Sequence, residues 1–311
     1  MEIRKIIYNG ILFFTVVIVV YSVFIAVLVG VKIAGTPLIY RLTDVVPWKG
    51  GSSYQKFLEF KKQKRYDVIT IGSSHAYRGY DPRIFEREGS SMFNLGTSAQ
   101  TLLNSYYISK EYINEHNCEL VILDIFDGSL SLDGLESTSD LVQNIQSDKA
   151  AIEMALAMKD PRAINMLSVR FLNKLNTPLY IDSAYIKNGF SERKDSVKNS
   201  REEYYNPSMQ VNETQLEYLD CLLNYFTSKK IKVILVSHPL PAITKKANHL
   251  KFFKVVNSVA NKYNVPYFDY SFSLNFDSFT DFYDQHHLNQ TGVEKYNFIL
   301  INDLKHKGYL N

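Results

Sequence analysis

A three-layer α/β/α fold with a parallel sheet, preceded by one membrane-spanning helix, is predicted by three observations. Short β-rich runs alternate with helix-length stretches from Asp67 almost to the end of the chain. Several of these runs, such as Leu120–Phe126 and Lys232–Ser237, are nearly continuous in apolar residues, as strands covered on both faces are. No charge occurs between Lys5 and Lys32, a gap that at about 1.5 Å per residue exceeds a hydrocarbon core of ~30 Å.

The apolar run, residues 6–31, reads as a retained anchor. It is longer than the apolar region of a signal peptide and lacks the polar positions a buried soluble helix shows to water. Arg4 and Lys5 precede it and Lys32, Arg41 and Lys49 follow, so the flanking charge is nearly balanced and does not orient the span. Residues 32–65 read as a juxtamembrane linker with Pro37, Pro47, Trp48 and the Gly50–Ser53 run, Trp48 resting at headgroup level, followed by a polar helix over Tyr54–Lys64. The soluble domain, residues 66–311, then begins.

Its elements follow in order. Asp67–Gly72 is a strand ending at a glycine, and Asp81–Pro82 starts a helix, Asp as cap and Pro in the first turn. Ser91–Asn94 reads as a second strand, Ala99–Glu115 as a helix, and Leu120–Phe126 as a buried strand. The alternation lapses over residues 127–211, which read as a helical insertion or cap with an exposed charged loop at Ser191–Glu203. It resumes with a helix over Asn212–Lys229, a strand over Lys232–Ser237, a helix over Leu250–Tyr263, a strand over Pro266–Asp269 and a last helix after Asn289.

Composition narrows the function. In 311 residues with 46% hydrophobic and 14% aromatic content there is material for a sizeable core, and the formal charge is only +3 with both signs interspersed. No basic stripe is present to neutralise many phosphates, so nucleic acid is not an expected partner. Cys118 and Cys221 cannot build a zinc site alone; both read as buried small hydrophobes, with a single disulfide between them left open. There is no Walker loop, no GxGxxG after a strand and no HExxH, which removes NTPase, kinase and dinucleotide readings. His286, His287, Asp284 and His238 could cluster as metal ligands, but no third ligand with fitting spacing is evident, so neither metal nor cofactor is expected.

In an open α/β sheet, reactive groups collect at the carboxyl ends of the strands. There the chain places Gly72-Ser73-Ser74-His75, Asn94-Leu95-Gly96, Ser237-His238-Pro239 and Asp284-Gln285-His286-His287. A serine hydroxyl is a weak nucleophile until a base takes its proton and a third group orients that base. Asp284 and His287, three residues apart, can face the same way, so the carboxylate can accept from Nδ1 and leave Nε2 for Ser74. His286 is the competing base. Backbone N–H groups of Ser74 and Gly96 could stabilise an oxyanion. Asn94, His75 and Arg78 could supply a further donor or bind substrate, and His238 is a further pocket residue.

These blocks resemble the SGNH/GDSL hydrolase superfamily, nearest to its membrane-anchored cell-envelope branch. Gly72-Ser73-Ser74 stands where the family has Gly-Asp-Ser, Gly96 matches the glycine of the second block, and Asp284 and His287 match the last block; no Gly-x-Asn-Asp block is found. The resemblance implies an SGNH, flavodoxin-like arrangement over residues 67–305 and a serine-dependent esterase or O-acyltransferase with Ser74, His287 and Asp284 as triad. It implies an acylated glycan or glycolipid substrate, a membrane-bound O-acyltransferase partner and an extracytoplasmic domain. The missing block motivates the alternative of an inactive, glycan-binding or envelope-assembly protein on the same fold.

Overall fold

The structure is a computed structural model and describes residues 2–42, 49–172, 178–196, 210–241, 244 and 246–311. The expectations for Pro47, Trp48 and residues 197–203 concern positions outside these described residues. Five strands form one parallel sheet: β1 (Tyr66–Ile71), β2 (Met92–Asn94), β3 (Cys118–Asp124), β4 (Lys232–Ser237) and β5 (Tyr267–Asp269), in the order β2-β1-β3-β4-β5. The order reverses between β1 and β3. Chains leaving those two neighbouring strands depart in opposite directions and open a crevice at their carboxyl ends.

Successive side chains of a strand point to opposite faces, and both faces are apolar here. Ile69, Ile71, Val121, Leu123, Val233 and Leu235 enter one core, while Val68, Leu120, Ile122, Ile234 and Val236 enter the other. The continuous apolar runs of the sequence are therefore strands buried twice over. The helices, most of which build the outer layers, are in chain order α1 (Glu2–Gly30), α2 (Ile39–Leu42), α3 (Gly51–Phe60), α4 (Ser74–Gly79), α5 (Pro82–Arg87), α6 (Leu102–Tyr112), α7 (Asp127–Ser131), α8 (Leu135–Asn144), α9 (Asp148–Ala157), α10 (Pro161–Leu172), α11 (Glu213–Ser228), α12 (Lys246–Lys262) and α13 (Gln290–His306). Phe57 of α3, Leu103 of α6, Leu219 of α11 and Val256 of α12 pack in the first core, and Phe85 of α5 and Tyr296 of α13 in the second.

The helix starts follow local chemistry. Asp81 caps α5 by accepting from the Arg83 N–H, Asn212 caps α11 through the Thr214 N–H, and Asn289 caps α13 through the Gly292 N–H, each satisfying a donor the helix leaves open. The Gly51–Ser53 segment, expected in the linker, already forms the first turn of α3.

Helix α1 spans 29 residues and is long and apolar enough to cross a membrane, and most of its apolar side chains are exposed. Its last turns are the exception: Ile25 and Val29 pack with Ile39 and Tyr40 and with Leu135, Val142, Ala163 and Val169 of the helical segment α8–α10. The apolar helix thus ends against the cap. Both cysteines are free thiols; Cys118 is buried as expected, but Cys221 is exposed on α11, so neither the disulfide nor the buried placement of Cys221 holds.

Candidate active site

Ser74 is delivered to the crevice by a tight strand-to-helix turn. β1 ends at Ile71, and Gly72 takes a φ of 155°, where an added Cβ would lie 2.7 Å from the Asp124 carbonyl oxygen; only glycine fits so close to β3. Ser73 then caps α4, its hydroxyl accepting from the His75 N–H. Ser74 therefore opens α4 with its side chain above the sheet edge. Gly96 is equally constrained, since a Cβ there would sit 2.6 Å from the Ala76 Cβ.

The partner segment, residues 281–288, is a compact loop. An isolated bridge joins Phe282 to Leu288, and the Tyr283 N–H donates to the His287 carbonyl at 3.1 Å. Asp284 Oδ1 accepts from the backbone N–H groups of His286 at 3.0 Å and His287 at 2.8 Å. Its other oxygen, Oδ2, lies 2.8 Å from His287 Nδ1, and His287 Nε2 lies 2.7 Å from Ser74 Oγ. Burial works to raise the Asp284 carboxyl pKa, but the hydrogen bond and charge of His287, with the His286 N–H, outweigh it and hold the group below the ordinary carboxylate range. An ionised carboxylate only accepts, so Nδ1 of His287 carries the proton and Nε2 presents its lone pair to the serine hydroxyl.

The competing base is placed elsewhere. His286 Nδ1 meets His75 Nε2 at 2.7 Å rather than Ser74. His75 is buried against the rings of Phe126 and His238, and His238 is buried with Nε2 3.3 Å from the His286 carbonyl oxygen. A carbonyl only accepts, so His238 donates there. Strand-end position places His75 and His238, expected as substrate-binding residues, near the serine, and both are buried beneath the His286–His287 loop. Burial drives the pKa of all three imidazoles down, aided by the neighbouring histidine charges: His238 to about 3, His286 to about 4, and His75 well below its usual value. They pack as neutral rings.

Two groups bring ligand-type atoms close enough to consider a metal: His75 with His286 and His287, and His75 with Asp124 and His238. Within the first, the 2.7 Å separation of His75 and His286 requires a shared proton, and both His287 nitrogens are taken by Asp284 and Ser74. In the second, the His75 and His238 ring centroids are 3.9 Å apart. Two imidazoles each holding one ion at about 2.0–2.1 Å would be spread wider than that. Asp124 is met by Tyr80, whose hydroxyl donates at 2.8 Å, and burial lifts its carboxyl pKa to about 7.

The oxyanion expectations divide. The Ser74 N–H has no acceptor among the described residues and is open to a developing oxyanion. The Gly96 N–H, expected as a second donor, instead donates to Asn94 Oδ1 at 3.0 Å. Asn94 is fully buried and its amide donates to the carbonyl oxygens of Ala76 at 2.6 Å and Tyr80 at 3.3 Å. One side chain accounts for both contacts: Asn94, the last residue of β2, spends its hydrogen-bonding capacity tying α4 to its own loop. Arg78, one turn after Ser74, lies over the rings of Tyr77 and Tyr283 with its carbon Cζ 4.9 and 5.4 Å from their centroids.

Two participants were not foreseen. Lys56 of α3 is fully buried, donates to the Gly96 carbonyl oxygen, and lies over the Tyr77 ring at 4.9 Å. Burial, opposed by the charges of Asp140 and Asp182, brings its pKa down to about 7. Tyr283 stacks on His287, ring centroids 5.4 Å apart and planes 10° from parallel. Its adjacency to Asp284 was a usable signal; Lys56, in a stretch that reads as a solvated polar helix, carried none.

No protein-family model and no curated protein matches the chain. Solved structures do. A lipase/acylhydrolase from Enterococcus faecalis is 13% identical, with 77% of this chain and 96% of that one covered at a TM-score of 0.41. A GDSL-like lipase from Bacteroides thetaiotaomicron is 14% identical, with 80% and 90% covered at 0.39. An acetyl xylan esterase is 12% identical, with 76% and 98% covered at 0.42.

Proposed function

We propose that the protein is a membrane-anchored serine esterase or O-acyltransferase that works on an acylated cell-envelope carbohydrate or glycolipid. One observation carries the reading: the unbroken chain Ser74–His287–Asp284, with contacts of 2.7 and 2.8 Å between residues 213 and 3 positions apart. His287 Nε2 takes the Ser74 proton as Oγ attacks the ester carbonyl, and Asp284 holds the imidazolium that forms. The Ser74 N–H stabilises the tetrahedral oxyanion. Collapse gives an acyl-Ser74 ester and an alcohol that leaves with the proton from His287. Water or a sugar hydroxyl, deprotonated by the same imidazole, then takes the acyl group.

The carbohydrate part is supported by a cavity of about 350 Å³ beside Tyr77. Ser52, Ser53, Ser98, Asp140 and Asp182 also line it, a hydroxyl- and carboxylate-rich wall suited to a polyol. The envelope assignment draws on α1, whose length and hydropathy fit an anchor. A membrane-bound acyl-donating partner and an extracytoplasmic domain follow from the family resemblance. The inactive, glycan-binding alternative has one observation on its side: Gly96 and Asn94 are not available as donors, and losing one such donor costs roughly 100- to 1,000-fold in rate.

The test is acetyl release from O-acetylated polysaccharide, with labelled acetyl followed into water or onto an added glycan. The full chain in detergent should release or transfer acetyl and the Ser74→Ala protein should do neither. Equal binding of the glycan with no turnover by either protein would favour the inactive reading.

A further inference from the structure

Two arginines beside Tyr283, the ring that stacks on His287, have no carboxylate partner among the described residues. Ser74 and Arg78 are four residues apart on α4 and so share one helix face. Among the described residues the Arg78 guanidinium makes one hydrogen bond, Nε to the Tyr77 hydroxyl at 3.1 Å, and its Nη1 is buried with no acceptor. Arg193, exposed, places its Cζ 5.9 Å from the centroid of the same Tyr283 ring that Arg78 approaches and that stacks on His287. Among the described residues neither arginine has a carboxylate within ion-pair distance. Asp284 is engaged by His287, and Glu192 by Arg83 and Lys194. Asp182 accepts from the Ala184 N–H and acts on Arg78 only at longer range. A half-buried guanidinium whose fork is unmade is costly to keep unless something else completes it.

We infer that Arg78, assisted by Arg193, forms an oxyanion subsite beside the triad, and that the ester this enzyme handles carries a carboxylate or phosphate close to the scissile bond. This rests on the esterase reading and adds to it the charge class of the substrate. A guanidinium fork matches the two oxygens of either anion. Held between aromatic rings, it is oriented before the ligand arrives, so the anion would register the ester over Ser74 rather than merely attract it.

The experiment compares three acetate esters with the full chain in detergent: phenyl acetate, 4-acetoxybenzoate and 4-acetoxyphenyl phosphate. The expected result is a kcat/KM for one of the anionic esters about tenfold or more above that for phenyl acetate, the gain lying mainly in KM. Which anionic ester is favoured tells carboxylate from phosphate. Arg78→Gln should reduce the anionic-to-neutral ratio by about tenfold, Arg193→Gln by less, and Arg78→Lys should recover part of it, whereas Lys262→Gln, a distant surface charge, should leave the ratio unchanged. Calorimetric binding of 4-hydroxybenzoate and phenyl phosphate to the Ser74→Ala protein reads the same subsite without turnover, and Arg78→Gln should abolish it. The inference is overturned by an anionic ester no better than phenyl acetate, by a uniform loss across all three esters in Arg78→Gln, or by no anion binding to Ser74→Ala. Ser74-dependent cleavage of phenyl acetate without anionic preference would overturn this inference alone and leave the esterase reading standing.

Discussion

Two histidines at the carboxyl edge of the sheet each contact an aspartate, and only one of them is fit to be a base. His287 has Asp284 on Nδ1 and the Ser74 hydroxyl on Nε2. His249 has Asp269 on Nε2 at 2.8 Å and Asp127 facing Nδ1 at 3.5 Å. Burial lowers the His249 pKa, but hydrogen bonds and charge from the two carboxylates outweigh it and raise it to about 9. A ring held between two carboxylates stays an imidazolium, with Nε2 donating to Asp269 and Nδ1 protonated toward Asp127, and has no lone pair to accept a proton. The aspartate contact does not make the base; the group on the ring's other nitrogen does. One arrangement leaves a nitrogen fit to take a proton, and the other pins α12 to the start of α7 and the end of β5.

The largest effect that sharpens this contrast is on turnover. Asp284→Asn should lower kcat for phenyl acetate by about 10⁴-fold, since an amide no longer holds the Nδ1–H tautomer. His249→Gln should leave turnover per folded molecule within a few-fold. Steady-state rates on both variants decide the matter, and comparable losses would erase the distinction between the two sites. Next in size is stability: His249→Gln should destabilise the protein by up to about 3 kcal/mol near pH 7, read by urea unfolding in detergent. The smallest effect is its pH dependence. The folded His249 pKa is raised above its unfolded value of about 6.5, so its contribution is complete below that pH and lost as pH rises through about 9. The stability gap between wild type and His249→Gln should therefore shrink from pH 7 to about pH 9.5. A gap that widened would mean His249 is neutral when folded.

Much of the frame was legible because it depends on local chemistry. The apolar runs of β3 and β4, the Asn289 cap before α13 and the glycine after β1 each admit one structural solution, and the Asp284–His287 spacing lets the carboxylate meet the imidazole that contacts Ser74. What was illegible depends on distant packing. His75 and His238 stand at strand ends, where exposure and burial give the same sequence, and the His286–His287 loop decided for burial. Asn94 looked like a free donor until its amide met the Ala76 and Tyr80 carbonyls. Lys56 looked solvated because nothing local announces that a lysine stem will thread between α4 and the Gly96 loop. The cap α7–α10 lacked strand–helix alternation, and its packing against the end of α1 is a contact between segments over a hundred residues apart.

The central claim is that Ser74 is a nucleophile activated by His287. Labelling with a fluorophosphonate, followed by peptide mass mapping, tests it most directly: the adduct should sit on Ser74, with labelling abolished in His287→Ala and retained in His249→Gln. No adduct on the wild-type protein, or one on another residue that survives Ser74→Ala, would contradict it.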